Sequence, residues 1–96
     1  MSENPRNQIE GQAEIHQILS NSSRLLILCA LEKKEMSVGE IAEQIGATLQ
    51  NTSQHLRLMK DKGVVESRRD GQTIFYRIAA NDVGESCKQM LAILGA

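Results

Sequence analysis

The apolar period of this chain switches from helical to strand-like at Gly63, and that switch narrows the possible folds more than any other feature. Before it, from Ser37 onward, apolar side chains recur at spacings of three and four, as helices require. After it, "VVESRRDGQTIFYRIA" is two β-rich runs separated by Asp70-Gly71. That dipeptide favours a type I′ hairpin, because both positions tolerate φ > 0. In the helical part, Ser37 and Glu40 form a capping-box pattern, each side chain accepting the other residue's exposed backbone N–H. Val38, Ile41, Ala42 and Ile45 follow on one face. Gly46 stands where a helix closes in the left-handed conformation, and Thr48 caps the next helix. Two short helices joined by Gly-Ala-Thr read as a helix-turn-helix, a pattern shared with other helical hairpins. A helix-turn-helix running straight into a basic hairpin is much narrower: it is a winged helix.

The rest of the chain fits around this unit. Residues 8–20 carry Ile9, Ala13, Ile15, Ile18 and Leu19 as a loose helical stripe. Asn21 looks like an N-cap for "SSRLLILCALEKKE", where Leu25, Leu26, Leu28, Cys29 and Leu31 make a wide apolar face. After the hairpin, "NDVGESCKQMLAIL" places Val83, Cys87, Met90, Leu91 and Leu94 on one helical face, capped by Asn81 or Asp82. The expected class is mostly α with a β-hairpin wing, in the order α-α-α-α-β-β-α. The 96 residues form one small domain with a disordered tail at 1–7. With aromatics at only 2%, its core must be aliphatic, and a chain this short often gains from oligomerisation. No apolar run approaches the roughly 20 residues of a membrane helix, and the polar start with Glu3 is not a secretory signal. Two cysteines without an export signal point to the reducing cytoplasm, with free thiols or a redox switch.

The net charge of −1 hides an asymmetry. Between Thr48 and Ala79, six basic residues (Arg57, Lys60, Lys62, Arg68, Arg69, Arg77) face three acidic ones, while the rest has five against nine. Such a positive block is the footprint of a nucleic-acid surface, unless it is ordinary charge scatter. The recognition helix is placed at 48–62 and the wing at 64–79. On that helix Leu49, Thr52, Leu56 and Met59 are expected to face inward. Gln50, Asn51, Ser53, Gln54 and Arg57 then face away. Ser, Thr and Asn are poor helix formers, but the front of the second helix of a helix-turn-helix meets base edges in the major groove. Amides bond adenine bidentately there, and Ser or Thr serves any base. No acidic residue lies between Thr48 and Lys60 to repel DNA. Arg68, Arg69 and Gln72 at the hairpin tip suit phosphate or the minor groove. His55 sits one turn on, with capping or packing as alternatives to DNA contact. No nucleophile–base–acid set is legible, so an enzyme is not expected, nor is a cofactor.

"LSNSSRLLILCALEKKEMSVGEIAEQIG" and "TSQHLRLMKDKGVVESRRDGQTIFYRIA" together resemble the ArsR/SmtB family of winged-helix repressors, over roughly Ile15 to Asp82. The resemblance implies a homodimer, built from helices at 8–20 and 82–95, that binds a pseudo-palindromic duplex DNA operator and releases it when an inducer is sensed. It implies DNA contacts at Thr48, Gln50, Asn51, Ser53 and Gln54 and on the wing from Arg68 to Gln72. Leu49 stands where relatives often have Gln. Metal-sensing relatives carry Cys-x-Cys where this chain has Ser37-Val38-Gly39, and residues 82–96 hold Asp82 and Glu85 but no His. No metal site is expected, since transition metals want thiolate or imidazole clusters. "LLILCAL" with "SVGE" is similar to the thiol-based subgroup, which responds to reactive sulfur or oxidants. Cys29 matches its first cysteine. Cys87 is on the right helix but about ten residues early, roughly 15 Å at helical rise, against the ~7 Å a disulfide tolerates. Cys29 and Cys87 are thus regulatory thiol candidates or packed core thiols. The alternatives are a winged-helix protein–protein interaction module and a DNA-binding regulator with no thiol or metal sensing.

Overall fold

The computed structural model of the chain describes residues 17–95. The tail expected at 1–7 and most of the helix expected at 8–20 lie outside the described residues. Of that helix, residues 17–19 are helical, and Ile18 and Leu19 are buried. The Asn21 carboxamide oxygen accepts from the Arg24 N–H at 3.1 Å and opens helix α1, Ser22–Lys33. Ile27, Leu28 and Leu31 of α1 enter the core; Leu26, expected on the same face, is 50% exposed.

Between α1 and the next helix the chain makes a short strand that the periodicity did not announce. Strand β1, Met36–Ser37, is two residues long, too short for alternation to be legible. It pairs antiparallel with the wing, Met36 opposite Tyr76 and Ser37 opposite Phe75. Ser37 also starts helix α2, Val38–Ile45, through the expected capping box: Glu40 N–H donates to Ser37 Oγ (3.2 Å) and Ser37 N–H donates to Glu40 Oε1 (2.9 Å). Gly46 ends α2 at φ 69°, as expected. Thr48 caps helix α3, Leu49–Asp61, accepting from Asn51 N–H at 3.1 Å.

Strands β2, Val65–Asp70, and β3, Thr73–Ile78, form the hairpin, and the sheet order is β1-β3-β2. Asp70 pairs with Thr73, so the central turn residues are Gly71 and Gln72. Only Gly71 has positive φ (65°). A I′ turn needs φ > 0 at both central positions; a glycine at the first position alone is the II′ pattern. The turn therefore sits one residue later than expected and is of the other hairpin type. Along β3 Thr73 and Arg77 are exposed, Phe75 is half-buried and Ile78 is buried.

Helix α4, Asp82–Ile93, closes the body. Asn81 fixes its start twice. Its Oδ1 accepts from Gly84 N–H at 2.7 Å, and its Nδ2 donates to the Gly63 carbonyl at 3.2 Å, joining this helix to the exit of α3. A Cβ at residue 84 would lie 1.8 Å from the Ala79 carbonyl oxygen, so only glycine lets α4 pack this closely. Cys87 and Leu91 reach the core, and Val83 and Met90 flank it. Leu94, expected on the same face, is 59% exposed, because it follows the end of α4, beyond the last core contact at Leu91. Among the described residues no helix is long and apolar enough to cross a membrane.

Candidate nucleic-acid interface

Helix α3 has one buried line and one free face. Thr52, Leu56 and Met59 are fully buried. Burial of a side chain such as Leu56 or Met59 is worth about 1.5–3 kcal/mol. The Thr52 hydroxyl donates to the Thr48 carbonyl at 2.8 Å, so it is buried without an unmet hydrogen bond. At about 100° per residue, Gln54 falls nearly opposite this line, with Gln50, Asn51 and Arg57 on either side. All four are exposed. Their side chains make no hydrogen bond or ion pair among the described residues. Ser53 and His55 lie on the two shoulders and are half-buried. Thr48 is exposed, and its hydroxyl oxygen serves the cap. The first turn carries no acidic side chain, leaving free backbone N–H groups and partial positive charge toward any phosphate nearby.

Leu49 does not join the inward stripe: it is 60% exposed. Its angular position is close to that of Leu56. It is, however, the first residue of α3, and helical side chains lean toward the N-terminus. Its side chain therefore overhangs the end of the core.

On the wing the basic residues are divided. Arg68 forks onto Glu35, with Nε 2.9 and 3.0 Å from the two carboxylate oxygens and a terminal nitrogen at 2.7 Å. Its guanidinium also stacks 4.7 Å from the Phe75 ring centroid, which explains why Phe75 is half-buried on the outer side of β3. The hydrogen bond from Arg68 holds the Glu35 carboxyl below the usual carboxylate range and raises the Arg68 pKa in return. Glu35 lies between α1 and β1, so this fork fastens the wing to the body. Arg77 bonds Glu66 on the facing strand at 2.7 Å, and Glu66 also accepts from Ala80 N–H at 3.2 Å. These two bonds, Arg77 first, lower the Glu66 pKa. Arg69, Gln72, Arg57 and Lys60 are exposed and make no side-chain hydrogen bond or ion pair among the described residues. Arg68 thus has a structural task inside the fold, and Arg69 and Gln72 are the wing-tip candidates whose side chains have no partner among the described residues. Sequence reasoning missed Glu35; its only signal was a lone acid just before a strand too short to see.

The two thiols are in different surroundings, and both are free. Cys87 is fully buried in α4, and burial pushes its pKa up, which makes it unreactive. Cys29 is half-buried on α1 and lines a groove of about 460 Å³ with Leu26, Ala30, Met36, Gln44 and Ile45. Among the described residues no three His, Cys, Asp or Glu side chains converge to hold a metal ion.

Comparison with known proteins points to one kind of molecule. Residues 21–67 match the family described as bacterial regulatory protein, arsR family. An HTH-type transcriptional regulator of Mycobacterium tuberculosis, KmtR, is 40% identical over 74 residues, which is 77% of this chain and 57% of that protein. The chain thus spans little more than half of that relative's length. The homodimeric winged helix-turn-helix DNA-binding domain from Mycobacterium bovis, solved by NMR, superposes with a TM-score of 0.82 at 32% identity, covering 99% of this chain and 88% of that one. The transcriptional repressor BigR from Xylella fastidiosa superposes with a TM-score of 0.81 at 32% identity, covering 92% and 87%.

Proposed function

The chain belongs to the arsR family of bacterial regulatory proteins, and from that premise we propose that it is a homodimeric, sequence-specific DNA-binding repressor. The observation that carries the reading is the outer face of α3. Gln50, Asn51 and Gln54 are exposed amides with no partner among the described residues, on a helix fixed from behind by three buried side chains. Free amides on a rigid helix are suited to bidentate bonds with adenine, and the shoulder residue Ser53 suits any base. Thr48 and His55 flank this face. Arg57 and Arg69, with Gln72, supply the phosphate contacts beside it, which position the protein without reading sequence. The dimer is formed by α4, whose exposed Ile93 and the adjoining Leu94 leave an apolar end uncovered in one protomer, together with the helix expected from the sequence at 8–20. Two such protomers read half-sites about 34 Å apart along the DNA.

Release by an inducer is the finer part of the proposal. Cys29 is the thiol that an oxidant or reactive sulfur species reaches, because it opens on a groove while Cys87 is sealed. Native-state alkylation followed by mass spectrometry is expected to label Cys29 and spare Cys87. Equal protection of both thiols, with DNA affinity unchanged by polysulfide, would remove thiol control from the reading.

The whole reading is tested by offering the full chain a randomised duplex library. It is expected to enrich an inverted repeat and to bind it in a salt-dependent way. Capture of no duplex above background at low salt would contradict it and favour a protein-interaction role for the same scaffold.

A further inference from the structure

We propose that Leu49 is a sequence-reading residue that recognises the 5-methyl group of thymine in the major groove. The inference rests on the DNA-binding reading above and adds a base preference to it. A single exposed leucine ordinarily means little. Leu49 differs from Leu26, Ile93 and Leu94 in its place. It is the first residue of α3, 60% exposed, between the exposed Thr48 and Gln50, in a turn without an acidic side chain. It overhangs the end of the core and leaves most of its surface exposed. A helix docked by its front residues therefore brings this side chain to the base edges together with Gln50 and Asn51.

What an apolar side chain can match there is narrow. Every base edge in the major groove presents hydrogen-bond donors or acceptors, and thymine alone adds an apolar group, its C5-methyl. Leucine against that methyl is attractive. Leucine against the edge of guanine or cytosine strips water from polar atoms and returns no hydrogen bond, which disfavours those bases. Preference thus comes from both attraction and exclusion. Burying one methyl group is worth about a fourfold change in affinity. Two symmetric half-sites raise that to about fifteenfold.

The test uses the full chain and the duplex it enriches from a randomised library. That duplex is rebuilt with deoxyuridine replacing thymidine at one position at a time, which removes only the methyl group. Binding is read by fluorescence anisotropy for the wild type, Leu49→Ala and Leu49→Gln. In each half-site, one thymine is expected at which the replacement weakens wild-type binding about fourfold and leaves Leu49→Ala binding unchanged. Leu49→Gln is expected to lose the thymine preference there, since an amide pairs with adenine. Because Leu49 stands outside the core, both variants should unfold at the wild-type temperature. The inference is overturned if every replacement changes wild type and Leu49→Ala by the same factor while the wild type still prefers its site over a scrambled duplex. If the wild type enriches no duplex at all, the DNA-binding reading fails first and takes this inference with it.

Discussion

On α3 the outer polar side chains Gln50, Asn51, Gln54 and Arg57 have no partner among the described residues, whereas on the wing Arg68 and Arg77 are each held by a carboxylate. The difference follows from how the two regions are supported. Helix α3 is held from inside by Thr52, Leu56 and Met59 and at its front by the Thr48 cap, and not by side-chain bonds from its outer face among the described residues. The two strands of the hairpin bury only Val65 and Ile78, both at the end away from the turn, and the residues around the turn are exposed. It uses arginines as fasteners, Arg68 to the α1–β1 turn and Arg77 across the strands. A basic residue count therefore overstates how much unpaired positive charge the wing presents, and says nothing of the exposed neutral amides of α3.

This contrast can be broken in several places, starting from the largest expected effect. Leu56→Ala removes the inner support of α3 and should cost about 2–5 kcal/mol of stability by urea unfolding; a change under ~1 kcal/mol would mean the helix is held by something else. Gln54→Ala should leave unfolding unaltered and cost about 1–3 kcal/mol in binding to the selected site, with little loss on a scrambled duplex. Thr48→Ala should cost about 1 kcal/mol of stability through the lost cap. On the wing, Arg69→Ala should lower the salt slope of DNA binding by about one and weaken all duplexes alike. Arg68→Ala should instead speed amide hydrogen exchange in β2 and β3. Equal salt-slope losses for the two would erase the division between fastener and contact.

The smallest effect is a pH dependence. The Glu35 and Glu66 pKa values are lowered in the fold by bonds from Arg68 and Arg77. A depressed carboxyl stabilises the folded state above its unfolded pKa of about 4.3, and that contribution is lost as pH falls through the lower folded value. The wing ties should therefore be intact at neutral pH and fade only in acid below about pH 4. Glu35→Gln should flatten part of that fall in a thermal-unfolding series.

Much of the fold was legible because its signals are local. The Ser37–Glu40 box, the Gly46 stop, the Thr48 cap and the period change at Gly63 each act within a few residues, and each reappears in the structure. What was not legible depends on distant partners or on where an element ends. Strand β1 exists because β3 lies beside it. The fork between Glu35 and Arg68 spans 33 residues of sequence. Leu49 satisfies the helical period yet is exposed, because a periodic pattern says which way a side chain points and not how far the core extends beneath it. Leu94 fails in the same way just past the end of α4.

The central claim is that the free amides of α3, not the basic wing, decide which DNA is bound. It is tested most directly by measuring wild type, Gln54→Ala and Arg69→Ala against the selected duplex and a scrambled one across a salt series. The account predicts that Gln54→Ala shrinks the ratio of the two affinities with an unchanged salt slope, while Arg69→Ala lowers the slope and keeps the ratio. If Gln54→Ala leaves the ratio intact and Arg69→Ala collapses it, specificity resides in the wing and the account is wrong.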